Sequence, residues 1–209
     1  IHKGLTDDEA RTRLAAEGFN ELATAKHRSV LRIVLDVLRE LDSERAIHER
    51  AARLQALLRR ANEVAQRART LGRHPFGALL VAPDGHTVLA EQGNVDTVNH
   101  AESVLARTAV LNYPPDYLWQ CTLVTTAEPC AMCAGTQYWA HIGRVVYGIT
   151  EERLLSLTGD HAENPTMNLP CREVFARGQK PVEVIGPVPE VEDEIVALHR
   201  DMWSGSGHP

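Results

Sequence analysis

Residues 121–133 read CTLVTTAEPCAMC. The first six, Cys121–Thr126, are rich in β-branched residues and spell a buried strand. From Cys130 to about His141 the pattern turns helical, so this segment passes from strand to helix through Glu128-Pro129. Cys130 and Cys133 then fall in the opening turn of the helix. Their C-x-x-C spacing aims two sulfurs at one point, and a helix N-terminus favours thiolates.

The alternation extends on both sides. Phe76–Ala82 and Thr87–Glu91 read as strands around the turn signal Pro83-Asp84-Gly85. His100 to about Leu111 is helical and Pro114-Pro115 stops it. Arg144–Ile149 is the next strand, Glu151–Leu157 a helical turn, 158–170 a loop, Pro181–Ile185 a last strand and Val191–Trp203 a last helix. Alternating strands and helices from residue 73 onward predict a three-layer α/β domain. Upstream the pattern is helical throughout. Residues 6–17 carry an N-cap at Thr6, a capping box closed by Glu9 and a stop at Gly18. A second helix is expected over Ser29–Leu41, with Val30, Ile33, Val34, Val37, Leu38 and Leu41 on one stripe. A third is expected over Ile47–Leu71, its stripe running from Ile47 through Leu54, Leu58, Ala61 and Val64 to Leu71, with Gly72 ending it.

At 209 residues the chain holds one core of moderate size plus an appendage, and 44% hydrophobic with 24% charged residues excludes a disordered or collagen-like chain. No apolar run reaches the roughly 18–20 residues of a membrane span, and no signal peptide opens the sequence. Four cysteines do not make a disulfide scaffold, so reduced thiols and a cytoplasmic setting are expected. The net charge of −6 is uneven: zero over 1–40, +3 over 41–72 and −9 over 73–209. So acidic a presumed chemical portion repels phosphate backbones, which makes nucleic acid an unfavoured partner. The arginines of 41–72 lie at mixed helical phases and read as a solvated face.

Two thiols at one point need further ligands to hold a metal. Cys121, leading an apolar strand, reads as core. His100, opening another helix, is the natural third ligand. Three protein ligands with a fourth position open is the arrangement of a catalytic zinc. Glu102 follows two residues after His100, close to the metal and free to take the proton of a water activated there. Competing readings are a redox pair, which His100-Ala101-Glu102 and Pro129 disfavour, and a closed structural zinc completed by Cys171 or a nearby His, which leaves Glu102 without use.

His100-x-Glu102 followed by Pro129-Cys130-x-x-Cys133 resembles the signature of the cytidine/deoxycytidylate deaminase superfamily. The resemblance covers about Ile47–Trp203. It implies a five-stranded sheet with helices on both faces, Zn2+ held by His100, Cys130 and Cys133, and Glu102 as proton shuttle. The long segment between Ile149 and Pro181 has room for a crossover helix, which favours the branch whose last two strands are parallel. Pro75-Phe76-Gly77-Ala78 resembles the segment lining the base pocket of guanine-type deaminases, with Phe76 either stacking on a ring or serving as core. Asn94 looks like the family asparagine that hydrogen-bonds the base, although only five residues separate it from His100 and Asn99 is an alternative. Ala101 would offer its backbone N–H, and Trp203 would cap the pocket. Trp139 reads as core or dimer contact. Residues 3–40, with Gly4-Leu5-Thr6, Glu9-Ala10, Arg13-Leu14 and Gly18-Phe19-Asn20-Glu21-Leu22, resemble the cytoplasmic N-terminal segment of P-type cation-transporting ATPases without any of the pump's machinery. The expected organisation is a helical extension (1–44), a deaminase domain (45–203) and a tail (204–209). The expected activity is hydrolytic deamination of a free base or nucleoside, a guanine-like purine ranked first and a cytosine-like base second, by a homodimer. The alternatives are a tRNA adenosine deaminase and a non-catalytic zinc-stabilised interaction module.

Overall fold

The computed structural model describes residues 6–17, 30–200 and 202–203. The stop at Gly18, the Gly18–Leu22 motif, the side chains of the Val30–Val37 stripe and the tail 204–209 lie outside what it describes. The chain divides into two compact units, residues 1–47 and 48–209.

In the first unit, α1 (Asp7–Glu17) opens with the expected capping box: Glu9 Oε2 accepts from the Thr6 N–H at 2.8 Å, and the Glu9 N–H reaches Thr6 Oγ1 at 3.4 Å. The two helices expected over Ser29–Leu41 and Ile47–Leu71 are one, α2 (Val30–Thr70). Asp42-Ser43-Glu44-Arg45-Ala46 contains neither Gly nor Pro, so nothing in it stops a helix already formed. The long stripe is also shorter than its periodicity suggests. Ile47 and Leu71 are exposed, and burial is confined to Leu57, Leu58, Ala61, Val64, Ala65 and Ala68.

The second unit is built on one sheet of order β2-β1-β3-β4-β5. Strands β1 (Gly77–Val81) and β2 (Val88–Gly93) form an antiparallel hairpin whose turn is held by Asp84 Oδ1, which accepts from the N–H groups of His86 and Thr87, and by Gly85 at φ +76°. β1 also pairs antiparallel with β3 (Thr122–Ala127). β4 (Arg144–Ile149) and β5 (Glu183–Ile185) add on in parallel, as the crossover argument expected. Side chains alternate between two cores. Ala78, Leu80, Leu123, Val145 and Tyr147 face one way, against α3 (Ala101–Asn112) and α5 (Ala131–Trp139). Leu79, Val81, Val124 and Val146 face the other, against α2 and α8 (Glu192–His199). Gly77 is required by this packing, because a Cβ there would sit 2.2 Å from the Ala61 carbonyl oxygen of α2.

Three elements went unread in the sequence or differ from it. Pro114-Pro115 does stop α3, but Pro115 also opens a one-turn helix, α4 (Pro115–Leu118). After α6 (Glu151–Thr158), the crossover contains a short α7 (Cys171–Ala176). The last helix starts with a 3₁₀ turn at Pro189–Val191 and ends at His199, so Trp203 lies beyond it. Trp139 is 76% exposed, which removes the reading of it as core. Four arginines of α2 meet acids of the α/β unit: Arg59 meets Glu194, Arg60 and Arg67 meet Glu91, and Arg50 meets Glu183. Such exposed pairs stabilise little, but they turn a basic stripe into a neutralised one.

Candidate active site

His100 and Cys130 hold equivalent places. Each is the residue immediately before its helix, α3 or α5, with an extended backbone, and neither side chain caps its own helix. Both side chains instead turn toward a shared point at the end of the sheet. There His100 Nδ1 lies 3.6 Å from the sulfurs of Cys130 and of Cys133, one turn into α5. All three donor atoms fall within 4.8 Å of one another, and this is the one such group of metal-ligating side chains among the described residues. One imidazole nitrogen and two thiol sulfurs suit zinc. The other ring nitrogen, Nε2, lies 3.1 Å from the Thr97 carbonyl oxygen. A carbonyl only accepts, so Nε2 carries the proton and the Nδ1 lone pair faces the sulfurs. The neighbouring Cys133 thiol and the His100 ring lower the Cys130 pKa, while the contact with Cys130 and burial raise that of Cys133.

Glu102, in the first turn of α3, is buried beside this group, its Oε2 3.6 Å from the Cys133 sulfur. The Thr125 hydroxyl of β3 donates to its other oxygen at 2.8 Å. Burial is the main force raising its pKa above the ordinary carboxylate value. Ala101, fully buried between His100 and Glu102, has one of the first-turn N–H groups that lack an intrahelical acceptor.

A cavity of about 430 Å3 opens against His100 and Cys130. Its opposite side is the crossover segment, Ala162 to Met167. Two residues that the sequence reading missed set this wall. Glu128, buried between β3 and Cys130, accepts from the backbone N–H of Glu151 at 3.1 Å and of Cys171 at 2.9 Å, so one carboxylate ties the starts of α6 and α7 to the strand end. Glu151, the first residue of α6, lines the cavity. Its pKa is pushed up to about 8, by burial first and then by the neighbouring Cys130 and Glu102. Glu128 was recoverable from its place directly before Pro129-Cys130, whereas nothing in the local pattern sets Glu151 apart from Glu152. Cys171, the alternative fourth ligand, is buried against Glu128 and stands outside the metal group, and burial raises its pKa. Cys121 is core, its thiol 3.4 Å from the Tyr117 carbonyl oxygen.

Of the predicted site residues His100 and Cys130 line the cavity, whereas Cys133, Glu102, Ala101, Asn94, Phe76 and Trp203 lie outside its lining. Asn94 is buried; its Nδ2 donates to the Asp96 carbonyl at 3.2 Å, and its Oδ1 has no partner among the described residues. Asn99 is held by Asp96, whose Oδ2 accepts from its amide at 2.9 Å, which leaves Asn94 the better placed of the two to receive a ligand. Phe76 is packed in the α2-side core, its ring 5.3 Å from that of His199. Trp203 stands over His74 at 4.9 Å and His161 at 5.3 Å, and its indole N–H donates to His199 Nδ1 at 3.3 Å. Trp203 thus braces the crossover rather than touching the cavity.

The model of the cytidine and deoxycytidylate deaminase zinc-binding region matches residues 51–149. A probable cytosine deaminase of Schizosaccharomyces pombe is 35% identical over 153 residues, 72% of this chain and 92% of the relative. The chain belongs to the cytidine and deoxycytidylate deaminase family. As a member it is a zinc-dependent hydrolase of C–N bonds. A guanine deaminase of Bacillus subtilis is 42% identical over 77 residues, 35% of this chain and 49% of that one. The solved structure of a guanine deaminase from Nitrosomonas europaea shares the fold with a TM-score of 0.55 at 21% identity, over 72% of this chain and 85% of that one. The model of the cation transporter/ATPase N-terminus matches residues 1–41. Among the described residues no helix is long and apolar enough to cross a membrane.

Proposed function

We propose that this deaminase removes the exocyclic amino group of a nucleobase or nucleoside, releasing ammonia, with His100, Cys130 and Cys133 as zinc ligands and Glu102 as the catalytic proton carrier. The observation that carries the reading is a buried carboxyl beside a converging imidazole and thiol pair, with a cavity opening against the imidazole and Cys130. Zinc held there supplies a Lewis acid that lowers the pKa of a water. Glu102 Oε2 would take one proton from that water and deliver it to the ring nitrogen, then take the second and deliver it to the departing amine. A C–O bond forms and the C–N bond breaks; one of the water's protons stays on the ring nitrogen and the other leaves on ammonia. Thr125 fixes the other oxygen, so the carboxyl turns one face to the exchange. Ala101 N–H and the open Oδ1 of Asn94 are proposed as contacts to the base, one donor and one acceptor.

A guanine-like purine is the first substrate class, since the cavity accommodates two rings. A cytosine-like base is the second, favoured by the near full-length match to the Schizosaccharomyces pombe relative. The exposed face bearing Val110, Leu111 and Trp139 is proposed as the homodimer contact, and residues 1–44 as a helical appendage to the deaminase domain. The test is ammonia release from free bases, nucleosides and nucleotides by wild type and Glu102→Gln, with zinc measured on the same samples. Loss of about a thousandfold in rate at unchanged zinc is expected. A wild type that holds zinc and releases no ammonia from any compound would leave the interaction-module reading in its place.

A further inference from the structure

Glu151 and Glu152 open the same helix, α6, yet differ completely. Acids in a first helical turn are ordinary and are stabilised there while hydrated. Glu152 follows that pattern and is exposed, whereas Glu151 is only 4% exposed. Its backbone N–H is taken by Glu128, but no hydrogen bond or ion pair among the described residues reaches its carboxyl. A buried carboxyl without a partner costs free energy on the order of several kcal/mol unless a donor arrives. This carboxyl lines the cavity that His100 and Cys130 also line. The cavity's described lining contains a second acid, Glu163, and neither Lys nor Arg. Glu163 is already engaged, 3.3 Å from His74 Nε2, so Glu151 is the acceptor left facing the ligand.

We infer that Glu151 reads the substrate: its carboxyl accepts N–H groups of an unphosphorylated, amino-bearing heterocycle and excludes 5′-phosphorylated ones from the cavity. The inference names the substrate class for the proposed deaminase and to that extent rests on that reading. A ligand N–H entering the cavity meets a carboxyl that has no protein donor among the described residues. A phosphate dianion in the same space finds two acidic side chains and neither Lys nor Arg to hold it. The donor is an amino or ring N–H group of the base, which the carboxyl oxygens of Glu151 accept.

The test is direct binding, by calorimetric titration of the zinc-loaded full chain with 2,6-diaminopurine, unsubstituted purine, guanosine and guanosine 5′-monophosphate. Wild type is compared with Glu151→Gln and Glu151→Leu. Expected is a preference of wild type for 2,6-diaminopurine over purine that shrinks about tenfold in Glu151→Gln and further in Glu151→Leu, with unchanged zinc content. The monophosphate should bind wild type at least about tenfold more weakly than guanosine, and the gap should narrow in both variants. Equal losses for 2,6-diaminopurine and purine, or lost zinc, would overturn the assignment, because a merely structural Glu151 does not distinguish the two purines. All titrations, those of the protein with Glu151 intact included, are made in a Glu102→Gln background, so binding is read without turnover. A wild type that releases no ammonia but whose preference still collapses in Glu151→Gln defeats the deaminase reading and keeps this one. Ammonia release with the preference intact in the variant does the opposite.

Discussion

The two sides of the cavity are built by different means. On the floor, His100, Glu102, Cys130 and Cys133 belong to the starts of α3 and α5, and both helices are packed on the sheet by the core of Ala101, Leu105, Ala134 and Leu123. Each donor atom is placed by a rigid element. The wall, Ala162–Met167, belongs to the stretch 159–170 between α6 and α7, which has no regular structure, and it is pinned at a few places. Glu128 ties the starts of the flanking helices α6 and α7, the His74–Glu163 contact holds the middle of the wall, and Trp203 meets His161 edge-on. Chemistry that tolerates little displacement is assigned to the floor, and selection among ligands to the wall. If that division is real, floor substitutions remove metal or turnover, while wall substitutions change affinity and leave turnover standing.

The sharpest break would come from Cys133→Ser. Replacing one of three proposed ligands should weaken zinc binding by more than about a hundredfold, read by competition with a chromophoric chelator. Unchanged affinity would mean that the floor is not the metal site. Next comes acid stability. Burial, helped by Arg69 and His74, holds the His199 pKa down to about 4 from 6.5. A depressed folded pKa means the unfolded chain takes the proton first, so the stabilisation is full above about pH 6.5 and is lost as pH falls toward 4. His199→Phe, which cannot titrate, should lose up to about 3 kcal/mol less over that range in denaturant unfolding. Equal losses in both proteins would show that the imidazole under Trp203 does not govern the acid limit.

A smaller effect is expected from Glu128→Gln. It keeps one oxygen acceptor where two N–H groups are held, leaving the other without its partner, so KM should rise about tenfold with kcat within about threefold and a stability loss of about 1–3 kcal/mol. A collapse of kcat with intact zinc would assign Glu128 to the floor instead. The mildest variant is Trp203→Ala, with KM raised about two- to threefold and kcat unchanged, because it removes a brace behind the wall and not a contact.

The floor was legible in the sequence because its chemistry is local. C-x-x-C on a helix start and H-x-E on another each fix their own geometry within one turn, whatever surrounds them. The strand pattern was equally local: five β-rich segments gave a five-stranded sheet, and the length between Ile149 and Pro181 told that the last pair is parallel. What only the tertiary structure decided is contact between segments far apart in the chain. Periodicity shows that α2 has an apolar face but not that Ile47 and Leu71 on it are exposed. Phe76 was open between a base-stacking ring and a core residue, and its packing with His199 puts it in the core. Glu151 and Glu152 are neighbours of identical chemistry, and only the fold buries one beside the thiols and leaves the other in water. Desolvation depends on everything that packs around a group, and no stretch of sequence carries that sum.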